Sequence, residues 1–212
     1  MHLRLQYIAI EGVIGAGKTS LARKLCEKYD ARLLLEEHEA NPFLSDFYKD
    51  QHRYAFQTQL FFLLSRYRQQ QDIPQSDLFH QTLVADYVFA KDRIFAAITL
   101  DDREMVLYDK IAGLLERDIQ VPDLVVYLQS STRRLMTNIR KRGREYETDM
   151  SEDYIRNLNE AYNQFFFNYK ASPLLVVNST EIDFVNNDKD FNELVDQLTR
   201  PVAGVQYYSP QK

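Results

Sequence analysis

Residues Gly12-Val13-Ile14-Gly15-Ala16-Gly17-Lys18-Thr19 follow directly on the apolar run Tyr7-Ile8-Ala9-Ile10 and open a helical pattern from Thr19 to Tyr29. The spacing is G-x-x-x-x-G-K-[ST], a P-loop, with a strand before it and a helix after it. Glycines let the backbone curl so that its N–H groups point inward at phosphate oxygens. The helix start adds its positive end to the same point. Lys18 is expected to reach the β- and γ-phosphates, and the Thr19 hydroxyl to bind Mg²⁺. Gly12, Val13, Ile14, Gly15, Ala16, Gly17, Lys18, Thr19 and Ser20 together form the expected cradle for ATP. Three of the chain's 6 glycines, Gly12, Gly15 and Gly17, are concentrated here. The spacing does not fit G-x-G-x-x-G from Gly12 or Gly15, which disfavours a dinucleotide.

Outward from the loop, the pattern is that of an α/β protein. Four more short apolar runs, Arg32 to Leu35, Thr82 to Ala85, Leu124 to Leu128 and Leu174 to Val177, read as buried strands. Continuous rather than alternating runs fit a parallel sheet covered on both faces. Helical patterns lie between them, at Asn41 to Gln71, Val88 to Leu100, Asp102 to Arg117, Thr132 to Lys141 and Glu152 to Tyr169. This alternation predicts a three-layer α/β fold around the P-loop, with a five-stranded parallel sheet flanked by helices. A short amphipathic stretch, Phe191 to Leu198, follows. The expected organisation is one domain over residues 1–200 with a tail at 201–212.

Composition narrows the function. The chain has 212 residues, a net charge of −5 and 45% hydrophobic residues, ordinary for a soluble domain. No apolar run approaches the ~18 residues needed to cross a membrane. Met1 to Tyr7 lacks an apolar core and cleavage site, so no membrane association or secretion is expected. The single cysteine, Cys26, excludes an intramolecular disulfide and fits a reducing cytoplasm. Mild acidity argues against nucleic acid as a partner.

A P-loop alone does not separate a kinase from a GTPase or a motor. The guanine-reading N-K-x-D segment is missing; Asn187-Asp188-Lys189-Asp190 resembles it only superficially. A small kinase remains. Transfer to a hydroxyl needs one carboxylate to orient that hydroxyl and take its proton, and another to help hold Mg²⁺. The second expected strand ends in Glu36-Glu37 and the third in Asp86, at the sheet edge where reactive groups gather. Glu36 or Glu37 fits the first role and Asp86 the second, alongside Thr19. Acidic residues after strands are often only solvated loop residues, but three strands converge on one edge here. The basic stretch Arg133-Arg134 and Arg140-Lys141-Arg142-Gly143-Arg144 reads either as a solvated helix face or as a lid over the nucleotide.

Taken together, these motifs resemble the deoxynucleoside kinase family, particularly its bacterial members, over about Leu5 to Leu198. The resemblance rests on Glu11 to Thr19, Leu35-Glu36-Glu37-His38-Glu39-Ala40-Asn41-Pro42-Phe43, Phe47-Tyr48-Lys49-Asp50, Phe56-Gln57-Thr58-Gln59 and Arg140 to Arg144. It implies that Glu36 is the general base for the 5′-hydroxyl of a deoxynucleoside and that Lys18, Arg142 and Arg144 serve the transferred phosphoryl group. Tyr48 and Glu147 would hold the sugar 3′-hydroxyl, with Asp86 also at the substrate. Gln57 would read the base with its amide, a donor and an acceptor side by side. Phe56, Phe61 and Phe62 would help line the base pocket. The family also tends to form dimers, which implies a homodimer, with Gln59 to Leu64 and Phe165 to Phe167 as candidate interface segments.

The chain departs from the family's pattern twice. Glu37 stands where proline is more usual, so both glutamates are candidate bases. After Asp86 the family often has Arg-Ser; here Tyr87-Val88 follow, and Arg66 or Arg93 is left to supply the missing charge. The rival readings are a nucleoside monophosphate kinase, which would need arginines around an acceptor phosphate, and a non-catalytic nucleotide-binding protein. A purine deoxynucleoside, deoxyadenosine first, is the expected acceptor.

Overall fold

A computed structural model describes residues 5–73, 80–148 and 150–210. Residues 1–4 of the leader reading and 211–212 of the expected tail lie outside these. Strands are β1 (Tyr7–Gly12), β2 (Arg32–Leu34), β3 (Leu83–Ala85), β4 (Leu124–Gln129), β5 (Leu174–Asn178) and β6 (Val205–Tyr208). They form one sheet in the order β2-β3-β1-β4-β5-β6, with every pairing parallel. All residues of β1 are buried, as are the first five of β4, which explains their unbroken apolar runs.

The sheet has six strands, not the expected five. The sixth comes from the segment read as a tail. Val205 to Tyr208 pairs with β5 on one side only, so its side chains stay largely exposed and leave no apolar run.

Helices are α1 (Lys18–Tyr29), α2 (Leu44–Lys49), α3 (Gln51–Gln71), α4 (Asp92–Thr99), α5 (Asp102–Leu115), α6 (Thr132–Arg142), α7 (Glu152–Phe167) and α8 (Asp188–Leu198). The pattern Asn41 to Gln71 is two helices. Asp50 ends the first and caps the second, its side chain accepting from the Arg53 N–H. The pattern from Val88 starts with a 3₁₀ turn, Phe89–Lys91, before α4. Asp101 closes a capping box with Glu104 at the start of α5. Gly143, among the expected lid arginines, ends α6, its N–H bonding the Ile139 carbonyl at 3.1 Å. Among the described residues no helix is long and apolar enough to cross a membrane.

Candidate active site

The loop that leaves β1 is clamped from three directions. A Cβ on Gly12 would lie 2.8 Å from the Leu128 carbonyl at the end of β4, and one on Gly17 2.9 Å from the Phe184 ring. Gly15 has φ +85, and a Cβ there would lie 2.7 Å from the Leu135 carbonyl of α6. Only glycine meets both demands. Asn138, one turn along α6 from Leu135, donates to the Gly15 carbonyl at 2.8 Å and fastens helix to loop.

Lys18 folds back on this loop. Its Nζ donates to the carbonyls of Gly12 at 2.7 Å and Val13 at 3.2 Å. Burial, with the charge of Lys91 adding to it, lowers its pKa to about 8. Thr19, at the start of α1, donates its hydroxyl to Asp86 Oδ2 at the end of β3. The other Asp86 oxygen accepts from the Glu36 N–H at 2.8 Å. A hydroxyl and a carboxylate side by side, beside a phosphate cradle, fit the hard oxygen ligation of Mg²⁺, which takes its remaining ligands from phosphates and water.

Glu36 is gripped by two cations. Arg66 of α3 approaches Oε1 through Nε at 2.7 Å and through its terminal nitrogen. Lys91 donates to Oε2 at 2.8 Å. These charges hold the Glu36 carboxyl well below the usual range, against the opposite pull of burial. Glu37, one residue on, is exposed. Arg66, one of the two residues expected to supply charge here, thus stands on Glu36 together with Lys91, which sequence reasoning missed. Arg93, the other, points away and pairs with Glu116 at 3.0 Å.

Two cavities flank this centre. The first is lined by Glu36, Tyr48, Gln59, Phe62, Arg66, Asp86, Lys91, Glu147 and Tyr154, among others. The second runs along Gly15 to Ser20, the inner face of α6 (Arg134, Asn138, Lys141) and the segment Ile182 to Asn186 after β5. Lys18, Thr19, Arg142 and Arg144 line both. Gly12 and Val13 line neither; Val13 is 1% exposed and they serve as the loop's floor.

Gln57 is not in the first cavity: it is exposed, and Gln59 takes the place expected for it. A shift of two residues is about 200° round a helix, so the two amides face opposite ways. Phe62 lines the cavity, whereas Phe56 and Phe61 do not. Tyr48 stacks on Tyr146, ring centroids 6.1 Å apart and planes at 7°. Glu147 is 5% exposed and is held by Arg142, with a 3.1 Å bond from Nε and a second from its terminal nitrogen. Arg144 stands 3.7 Å away. The structure therefore joins the expected lid arginines to the expected sugar ligand.

The family model described as deoxynucleoside kinase matches residues 8–203. The chain belongs to the deoxynucleoside kinase family. Members are ATP-dependent phosphotransferases, and the two cavities on either side of Lys18 suit that activity. The chain is 37% identical to a deoxyguanosine kinase of Bacillus subtilis (strain 168), covering 89% of this chain and 93% of that protein. It is likewise 37% identical to a deoxyadenosine kinase of Dictyostelium discoideum, over 82% of this chain and 73% of the relative. Among solved structures, a deoxyadenosine kinase from M. mycoides with bound dATP superposes with a TM-score of 0.81 at 26% identity, covering 92% of this chain and all 100% of that one.

Proposed function

We propose that this kinase transfers the γ-phosphoryl group of ATP to the 5′-hydroxyl of a purine deoxynucleoside. One observation carries the reading: Lys18, Thr19, Arg142 and Arg144 form a shared wall between two cavities, with Glu36 facing it from the first. The second cavity takes ATP on the amides of Gly15 to Ser20. The first takes the acceptor. Mg²⁺ held by Thr19 and Asp86 would offset charge on the phosphates. Glu36 orients the 5′-hydroxyl and accepts its proton. Lys18, Arg142 and Arg144 neutralise charge on the phosphoryl oxygens in transit. Tyr48 and Glu147 hold the sugar's 3′-hydroxyl, and a sugar lacking it would forgo those bonds. Gln59 reads the base. The purine preference rests on the relatives' names, deoxyguanosine and deoxyadenosine kinase. The reaction belongs in the cytoplasm, in line with the lone reduced cysteine, Cys26.

The test is a competition among all four deoxynucleosides and their 5′-monophosphates with ATP and Mg²⁺. Phosphorylation of deoxyadenosine or deoxyguanosine ahead of the pyrimidines is expected. Product formed only from monophosphates would reassign the acceptor.

We also propose a homodimer formed through α3 and α5. These packed helices carry exposed Leu64, Val106, Leu107 and Leu114, the last 65% accessible. Light scattering at micromolar concentration should give twice the chain mass, and Leu114→Glu should shift it toward the single-chain value.

A further inference from the structure

The two cations on Glu36 are not equivalent. Arg66 is divided between two carboxylates, Glu36 and the buried Asp92 at the start of α4, and so acts as a strut between α3 and α4. Among the described residues Lys91 makes one side-chain hydrogen bond, to Glu36 Oε2 at 2.8 Å. An ammonium carries three donors, so two remain, and the residue lines the acceptor cavity. Lys91 is only 3% exposed. Lysines are seldom buried so deeply without a partner or a task.

Its backbone is as firmly placed as its side chain. Lys91 closes the 3₁₀ turn after β3, its N–H bonding the Val88 carbonyl at 3.1 Å. The Val88 N–H in turn donates to Oε1 of Glu11 at 2.8 Å, a wholly buried carboxylate of β1. The Glu11 Oε2 accepts from the Gly12 N–H at 3.0 Å. One buried carboxylate thus fixes the turn bearing Lys91 and the first residue of the phosphate loop. The position where family members carry an arginine is filled by Tyr87, wholly buried and uncharged.

We infer that Lys91 replaces the arginine absent after Asp86, as a catalytic residue that holds Glu36 Oε2 and donates to the oxygen of the acceptor hydroxyl. The inference rests on the proposed role of Glu36. One N–H fixes the carboxylate; a second meets the incoming hydroxyl oxygen. During transfer the hydroxyl O–H bond breaks and its proton passes to Glu36. The oxygen's electron pair forms the new O–P bond, and the bond from the γ-phosphorus to the bridging oxygen breaks, its pair leaving on ADP. Lys91 offsets negative charge on the attacking oxygen, while Arg66 ties Glu36 to Asp92.

The experiment compares Lys91→Met, Lys91→Arg and Glu36→Gln, alone and with Lys91→Met and Glu36→Gln combined, using the best acceptor from the competition assay. Lys91→Met is expected to lower kcat about 100-fold while the Kd for ATP changes less than about threefold. Lys91→Arg should recover a tenth or more of the wild-type kcat. In single-turnover assays Lys91→Met should cost the Glu36→Gln background at least about threefold less than it costs wild type, because the share of its effect exerted through Glu36 is already lost there. A kcat within threefold of wild type, or the full loss repeated in the Glu36→Gln background, overturns the inference. Should Lys91→Met not fold, Lys91→Gln answers the same questions by the same criteria. A wild-type protein that phosphorylates no deoxynucleoside removes the proposed function and this inference together; active wild type with an indifferent Lys91 removes only the inference.

Discussion

The backbone N–H of Glu36 donates to Asp86 Oδ1 at 2.8 Å, tying the end of β2 to the end of β3. The proposed base and the proposed metal ligand therefore share one rigid frame. Glu36→Gln keeps the N–H and the side-chain volume but removes the carboxylate. Turnover should fall at least 100-fold, on the order of a lost general base. ATP affinity by titration calorimetry should stay within about threefold. Exposed Glu37→Gln should keep near wild-type turnover. The reverse pattern would make Glu37 the base.

Gln59 faces the acceptor cavity and Gln57 faces solvent. Gln59→Ala should raise the KM for the deoxynucleoside about tenfold, the worth of one well-placed hydrogen bond. Gln57→Ala should leave it unchanged. Steady-state kinetics on the two variants settle which amide reads the base.

Lys18 is held at a pKa of about 8 by burial and by Lys91. Polyphosphate favours its charged form, so ATP binding should take up a proton once the free protein's lysine has lost one. The sign follows directly. Below pH 8 the lysine is already charged and affinity is flat; above it, affinity falls by up to about tenfold per unit. Calorimetry in two buffers of different ionisation enthalpy measures that uptake, and Lys18→Ala should abolish it along with most of the affinity.

Gly15→Ala places a methyl group 2.7 Å from the Leu135 carbonyl at φ +85. Strain and clash together should cost a few kcal/mol, on the order of 1–3 for the backbone alone. Thermal melting should show a loss of several degrees. Gly204→Ala, at φ +63 with nothing within 4 Å, carries the conformational penalty without the clash and should lose less.

Burial pushes the Cys26 thiol up to about 11. Its thiolate fraction at pH 8 should be about 100-fold below that of an ordinary thiol. Alkylation by iodoacetamide should be correspondingly slow and should leave kinase activity intact. Rapid alkylation with loss of activity would contradict a packing role for this residue.

The core of the fold was legible because its signals are local. A glycine cluster between an apolar run and a helix needs no distant information, and β1 and β4 keep continuous apolar runs because both faces are covered. What escaped is non-local. The buried face of α3 carries Ala55, the adjacent Thr58 and Gln59, Leu63, Arg66 and Gln70, otherwise at intervals of three and four residues. Polar residues turned toward a site erase the hydrophobic stripe that would have shown which glutamine faces inward. Lys91 sits in a turn with no helical phase of its own, and its meeting with Glu36 spans 55 residues of chain. β6 is an edge strand, so its exposed sequence carries no core signal.

The sheet order has a consequence for how the protein is made. β1 holds the phosphate loop, yet it lies in the middle of the sheet between β3 and β4. Its neighbours are far off in sequence: Ile8 sits opposite Val84 on one side and Leu124 on the other. On the ribosome the segment that will grip ATP emerges before either partner strand, and its second side stays unpaired until β4 has followed. Parallel pairings of this span fold slowly. Nascent chains halted before β4 should neither retain nucleotide nor resist protease, and the apolar stretch Tyr7 to Ile10 stays open to a holding chaperone until then.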